Sequence, residues 1–312
     1  MTAPTTRLGS TDLFVSRLCL GGNVFGWTAD EANSFAVLDA FAAAGGNFID
    51  TADTYSSWVP GHVGGESESI IGRWMASRAN RASIVIATKV GMLPTLKGLA
   101  PTTIRSAVEG SLRRLGVEYI DLYYAHRDDP DTPLVDTLRA FDGLVKEGKV
   151  RHVAASNYTA SRLREALALS RRDNLVEYVA LQPHYNLLHR QEYEGALQDI
   201  CVAEHVACLP YFSLAMGFLT GKYRPGSEVQ SVRAGGASKY LDARGIRALA
   251  ALDDIAAAHQ TAVSAVALAW LAAQPTVVAP IASARTAAQL TELLPTLDLT
   301  LTGDELQRLS LL

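Results

Sequence analysis

Eight short apolar runs recur along the chain, at residues 18–20, 48–49, 84–87, 120–124, 150–154, 178–181, 207–209 and 277–279, with helical patterns between them. Runs of this length bury as strands, while the intervening segments repeat their apolar residues at three and four, as in 134–146 and 163–169. Strands alternating with helices predict βαβ units and a parallel sheet. Pro101 and Thr102 mark a helix start, and Gly116 and Gly148 close helices behind basic residues. Residues 221–240, with Pro225, Gly226, Gly235 and Gly236, form the one long irregular stretch and read as a mobile loop over a cofactor or substrate.

Eight such strands can close into a barrel or open into a doubly wound sheet. An open dinucleotide-binding sheet needs G-x-G-x-x-G after its first strand, but here Gly21 and Gly22 are followed by Gly26. Residues 217–222 lack the spacing of a phosphate-binding P-loop. The expected fold is therefore α/β, a single (β/α)8 TIM barrel over residues 1–312, with a short N-terminal hairpin capping the barrel bottom and extra C-terminal helices. A composition of 48% hydrophobic and 19% charged residues can fill such a core, and neither linker nor repeat divides it.

A net charge of −4 argues against a nucleic-acid partner. Cys19, Cys201 and Cys208 make no CxxC pair and suit a reduced, cytoplasmic protein. The first residues lack the basic-then-apolar pattern of a secretory signal, and the apolar stretch 262–273 falls short of the roughly 20 residues of a membrane span and reads as a buried helix. His184 and His189 do not have the H-E-x-x-H spacing, and no metal is expected.

In a barrel the polar residue ending each strand faces the catalytic mouth. Those residues are Asp50, with Tyr55 in the next loop, then Lys89, His126, Ser156 and Asn157, Gln182, Tyr211 to Ser213, and Ser283 with Arg285. Asp50, Ser156 and Asn157 are also turn and capping types, whereas Lys89, His126 and Gln182 are not. A free tyrosine, with pKa about 10, donates protons poorly near neutrality, and a neighbouring ammonium is expected to lower that value by favouring the phenolate. Asp50, Lys89 and Tyr55 thus form a proton relay, with His126 orienting a carbonyl oxygen. The group holds a proton but no hydride, so a cofactor is required.

The stretches FIDTADTY (48–55), ATKVG (87–91), DLYYAHRDD (121–129), GKVRHVAASNY (148–158), LQPHYNLL (181–188) and YFSLAMGFLTGKY (211–223) resemble the aldo-keto reductase family in order and spacing over nearly the whole chain. The resemblance implies NADPH-dependent reduction of a small-molecule carbonyl, with Tyr55 as general acid, Asp50 and Lys89 tuning it and His126 positioning the substrate. It places the nicotinamide carboxamide at Ser156, Asn157 and Gln182 and the ring on Tyr211. Gly22 joins the cofactor contacts, the pyrophosphate lies along Ser213, Leu214, Gly217 and Lys222, and the adenosine 2′-phosphate end along Ser283, Arg285, Gln289 and Glu292. A planar guanidinium suits a phosphate dianion, which favours NADPH over NADH. Two residues depart from the pattern: Ser283 stands where many relatives have Gly, and Leu293 where many have Asn.

Phe25, Trp27, Trp58 and Arg127 are expected to line the substrate pocket, an aromatic wall suited to apolar carbonyls. The chain ends soon after the helical pattern 304–309, which predicts an open, permissive pocket. Oligomeric state is left open. Two alternatives remain: an NADPH-binding regulator similar to potassium-channel β subunits, and a lyase or isomerase in which Lys89 forms a Schiff base.

Overall fold

The computed structural model describes residues 4–312. Its eight parallel strands are β1 (Cys19–Gly21), β2 (Phe48–Asp50), β3 (Val85–Val90), β4 (Ile120–Ala125), β5 (Val150–Ser156), β6 (Tyr178–Gln182), β7 (Ala207–Cys208) and β8 (Ile281–Ala282). Each pairs with its neighbour in chain order, and β8 returns to β1, with Ile281 opposite Cys19. Between β7 and β8 the circle closes through Cys208, whose N–H donates to Thr276 O at 2.8 Å and whose carbonyl accepts from Val278 N at 3.0 Å.

The eighth strand is displaced from its expected place. Residues 277–279 hold the side facing β7, where Val277 bridges Cys208, but the ladder with β1 falls on Ile281–Ala282. Pro280, lacking an N–H, interrupts the run, and its carbonyl still accepts from Cys19 N at 3.0 Å.

Side chains alternate across each strand with a period of two, and here that alternation sorts two cores. Phe48, Val85, Ala87, Leu122, Tyr124, Ala154 and Ala180 fill the barrel interior, whereas Ile49, Ile86, Tyr123, Val153 and Leu181 join the layer beneath the helices. Continuing the inward set by two residues reaches Asp50, Lys89, His126, Ser156 and Gln182. The period that packs the core thus aims these polar groups at one mouth. At the opposite end, Leu8, Leu13 and Val15 of the antiparallel hairpin Thr5–Arg7 and Phe14–Ser16 pack into the same interior core and stop the barrel.

The strands are connected by α1 (Glu31–Ala43), α2 (Glu66–Arg78), α3 (Pro101–Leu115), α4 (Leu134–Lys146), α5 (Ala160–Asp173) and α6 (Ala196–Ala203). Helix α3 begins with Pro101 in its first turn on an Ala100 cap, so Thr102 lies inside the helix rather than capping it. Gly116 and Gly148 take left-handed φ of 64° and 74°, as helix ends favour. A small hairpin, Met92–Leu93 with Leu96–Lys97, follows β3 and has no counterpart in the sequence reading.

The stretch 221–240 carries two short helical turns, Ala234–Ala237 and Ser238–Tyr240. Arg224 ties its start to Asp253 with two bonds of 2.8 and 2.7 Å. Helices Ala243–Ala258 and Val263–Ala272 precede β8, and the second is buried from Ser264 through Leu271. Among the described residues no single helix is long and apolar enough to cross a membrane. The final helix, Gly303–Ser310, starts on a reciprocal cap between Thr302 and Glu305.

Candidate active site

A cavity of about 710 Å³ opens at the carboxyl ends of the strands, and Asp50, Tyr55, His126, Ser156 and Gln182 all line it. Lys89 lies beneath the lining, behind Asp50 and Tyr55. The lysine is fully buried, and its ammonium donates to Asp50 Oδ2 at 2.6 Å, to Thr51 O at 2.8 Å and to the Tyr55 phenol oxygen at 2.9 Å. The phenol donates to Asp50 Oδ2 at 3.3 Å, and Gln182 Nε2 donates to Asp50 Oδ1 at 2.9 Å. A charge removed from water is tolerable when paired and hydrogen-bonded in this way.

One electrostatic expectation is corrected. Burial pushes the Tyr55 phenol well above the usual tyrosine range, and the Asp50 carboxylate adds to the rise. Lys89 does not reverse this, because its charge is already compensated by Asp50 at 2.6 Å. Tyr55 therefore keeps its proton through the neutral range. His126 moves the other way: burial, then the Lys89 and Arg127 cations, holds it well below the ordinary imidazole range, so it is neutral. Its ring centroid lies 6.2 Å from that of Tyr55, and its buried Nδ1 has no hydrogen-bond partner.

Ser156, Asn157 and Tyr211 form one linked wall. Ser156 Oγ donates to Gln182 O at 2.9 Å, Asn157 Nδ2 donates to His126 O and to Ser156 Oγ at 3.0 Å, and Tyr211 OH donates to Asn157 Oδ1 at 2.8 Å. The Tyr211 ring is backed by His184 at 5.4 Å, itself stacked on His189 at 3.7 Å. Glu192 approaches His189 to 3.2 Å, a carboxylate the sequence spacing did not suggest. The two imidazole planes are only 10° from parallel, and one ligand atom from each of His184, His189 and Glu192 lies within 4.8 Å of the others, a grouping that could hold a metal ion.

Ser213, Leu214, Gly217, Lys222, Ser283, Arg285, Gln289, Glu292 and Leu293 all line the same cavity. Burial first, then the Arg285 and Arg233 cations, lowers the proton affinity of Lys222, and burial with Arg285 lowers that of Arg233. Among the described residues none of the three has an acidic partner within 4.0 Å. Such a group could hold an anion such as a phosphate. Ser283 Oγ donates to Asn23 Oδ1 at 2.7 Å, and a Cβ on Gly21 would meet Ser283 Oγ at 2.6 Å. The serine thus joins the ends of the first and last strands at the position where many relatives have Gly.

Several expected lining residues lie elsewhere. Gly22 faces α2, where a Cβ would stand 2.8 Å from Ser67 Oγ, and the cavity is lined by its neighbour Gly21. Phe25 is fully buried in the outer core. Trp27 and Trp58 pack edge to face at 5.5 Å, and Trp58 meets Tyr55 at 6.3 Å, so they form a rim outside the main cavity. Arg127 does line it. The sequence reading missed Asn23, Met92 and Arg233, which also line it, as does Phe212 from the expected run 211–213. Arg233 sits in the irregular stretch, where no periodicity marks an inward face and nothing in the pattern sets it apart from Lys222, Arg224 and Lys239.

A profile of the Aldo/keto reductase family matches residues 17–311. Over 297 residues the chain is 33% identical to "Protein tas" of Escherichia coli strain K12, covering 86% of each. It is 32% identical over 293 residues to "Aldo-keto reductase str7" of Strobilurus tenacellus, covering 88% of this chain and 81% of that protein. A rice protein named "Probable voltage-gated potassium channel subunit beta" is 31% identical over 280 residues, covering 86% of this chain and 83% of its own.

Proposed function

Because the chain belongs to the Aldo/keto reductase family, we propose that it is an oxidoreductase that reduces aldehydes or ketones with NADPH through a tyrosine proton donor. The observation carrying this reading is Lys89, buried with its ammonium 2.6 Å from Asp50 and 2.9 Å from Tyr55 beneath a cavity large enough for a dinucleotide.

The residues present fit the cofactor. The unpaired cations Lys222, Arg233 and Arg285 would take its phosphates, the polar wall of Ser156, Asn157 and Gln182 would take the carboxamide, and the Tyr211 ring offers a flat face. Bound there, NADPH would supply the hydride to the carbonyl carbon. As negative charge builds on the carbonyl oxygen, Tyr55 turns its proton from Asp50 toward that oxygen, and Lys89 stabilises the phenolate left behind. The high proton affinity of the phenol keeps the donor loaded until that moment. Neutral His126, beside Tyr55, hydrogen-bonds the same oxygen and fixes its approach. The Trp27 and Trp58 rim and Arg127 set which carbonyls enter.

A Schiff-base role for Lys89 fits poorly, because a nucleophilic amine must be free and neutral whereas this nitrogen is a paired ammonium. The regulatory-subunit reading draws on the name of the rice relative, and the intact Asp50, Lys89 and Tyr55 relay favours turnover over it. The test is oxidation of NADPH against a panel of aromatic, aliphatic and sugar aldehydes and ketones. Substrate-dependent turnover with at least one class supports the reading, and none with any class would leave the regulatory one.

A further inference from the structure

Asp53 is unused by this chemistry, yet it lies between Asp50 and Tyr55 in the turn that presents the phenol. Its side chain is fully buried, and neither carboxyl oxygen has a hydrogen-bond partner. Its immediate charged neighbour Glu68, on α2, is also fully buried, but both Glu68 oxygens are taken, by Thr88 Oγ1 at 2.6 Å and Arg114 Nε at 2.7 Å. Glu68 thus uses the arginine on α3, and Asp53 is left with the unpartnered Tyr123 hydroxyl of β4 as its polar company. The cations whose charge reaches it, Arg114 on α3 and then Lys89 on β3, lower its proton affinity but are already engaged by Glu68 and Asp50. A carboxylate in that place would be a second buried negative charge without a counter-ion.

The turn has little room to adjust. Thr51 N donates to Ala87 O at 2.8 Å, Asp53 N to Lys89 O at 3.3 Å and Thr54 Oγ1 to Met92 O at 3.2 Å, while Lys89 Nζ donates to Thr51 O at 2.8 Å. Lys89 is therefore bound to this turn through both its backbone and its ammonium. On the outer side Gly64 closes over it so tightly that a Cβ there would lie 2.8 Å from Asp53 O.

We propose that Asp53 is a positioning residue that works as the neutral acid: protonated, it packs the turn 51–55 against Glu68 and Tyr123, and ionised, it draws that turn off Lys89 and misaims Tyr55. Burial first, and Glu68 second, push its carboxyl up to about 8, so the proton is present at neutral pH and lost just above it. The sign of the linkage follows: an acid whose proton is bound more tightly in the folded chain stabilises it fully at low pH, and that contribution is lost as pH rises through about 8.

The effect on Tyr55 rests on the proton-donor reading above, but the protonation of Asp53 does not, so the two can fail separately. In wild-type protein carrying 13C-carboxyl aspartate, one resonance should titrate with a midpoint near 8 and be missing from Asp53→Asn. If every aspartate is already ionised by about pH 6, the proposal is overturned, whatever the activity. Turnover at saturating substrate should fall above pH 8 in the wild type and stay level in Asp53→Asn and Asp53→Ser, with values near pH 6 within about threefold of wild type. An unchanged alkaline fall in whichever of these variants folds would overturn the positioning role, and the wild-type resonance titration needs neither variant.

Discussion

Lys89 and Asp50 form an ion pair of 2.6 Å with both side chains almost wholly out of solvent. The pair anchors the catalytic floor, and its value lies in completeness, since each charge is tolerated only because the other is there. Lys89→Met should therefore destabilise the protein by about 3–5 kcal/mol, leaving Asp50 buried without its cation. Urea unfolding measures this, and adding Asp50→Asn to Lys89→Met should recover a large part of the loss. A single-variant loss below about 1 kcal/mol would mean that solvent reaches the pair.

His126 is held neutral by burial and by the cations Lys89 and Arg127. Since its proton affinity in the folded state lies below that of the unfolded chain, the folded protein resists protonation there. Stability from this source is full above the ordinary imidazole value, about 6.5, and declines as pH falls below it. For activity, kcat/KM should show no inflection near 6.5 that disappears in His126→Gln. An inflection at that pH lost with the histidine would show that the imidazole is solvated.

Arg285 joins Lys222 and Arg233 in a cationic end of the cavity, where among the described residues no carboxylate comes within 4.0 Å of any of the three and Glu292 acts on Lys222 from farther off. Arg285→Ala should weaken NADPH by about 10- to 100-fold, the worth of a lost charge-assisted hydrogen-bond pair. NADH, lacking the 2′-phosphate, should change by less than about threefold, as read by quenching of protein fluorescence. Equal losses for both would remove Arg285 from the phosphate contact.

The strand period carried most of this site in the sequence. Phe48 and Asp50, Ala87 and Lys89, Tyr124 and His126, Ala154 and Ser156, Ala180 and Gln182 are each two residues apart, so a packed interior fixes where the polar residue points. Loops offer no such rule. Gly22 and Phe25 follow β1 directly, but the chain bends there so that they meet α2 and the outer core, while Gly21 and Asn23 take the wall. Pro280 split the eighth strand between two partners, which an apolar run cannot disclose. The shift at Tyr55 was read with the wrong sign because the reading left out burial and took Asp50 only as the partner of Lys89, not as a negative charge acting on the phenol itself.

The central claim is that Tyr55, standing on Lys89, donates the proton as a carbonyl is reduced. Tyr55→Phe keeps the ring packed against Trp58 and His126 and removes only the hydroxyl. With an aldehyde that the wild type reduces, the decisive measurement is single-turnover NADPH oxidation in this variant alongside its NADPH dissociation constant. The account predicts a rate lowered by about 10²- to 10⁴-fold, with NADPH affinity within about threefold of wild type. A Tyr55→Phe variant that reduces the aldehyde at the wild-type rate would contradict it.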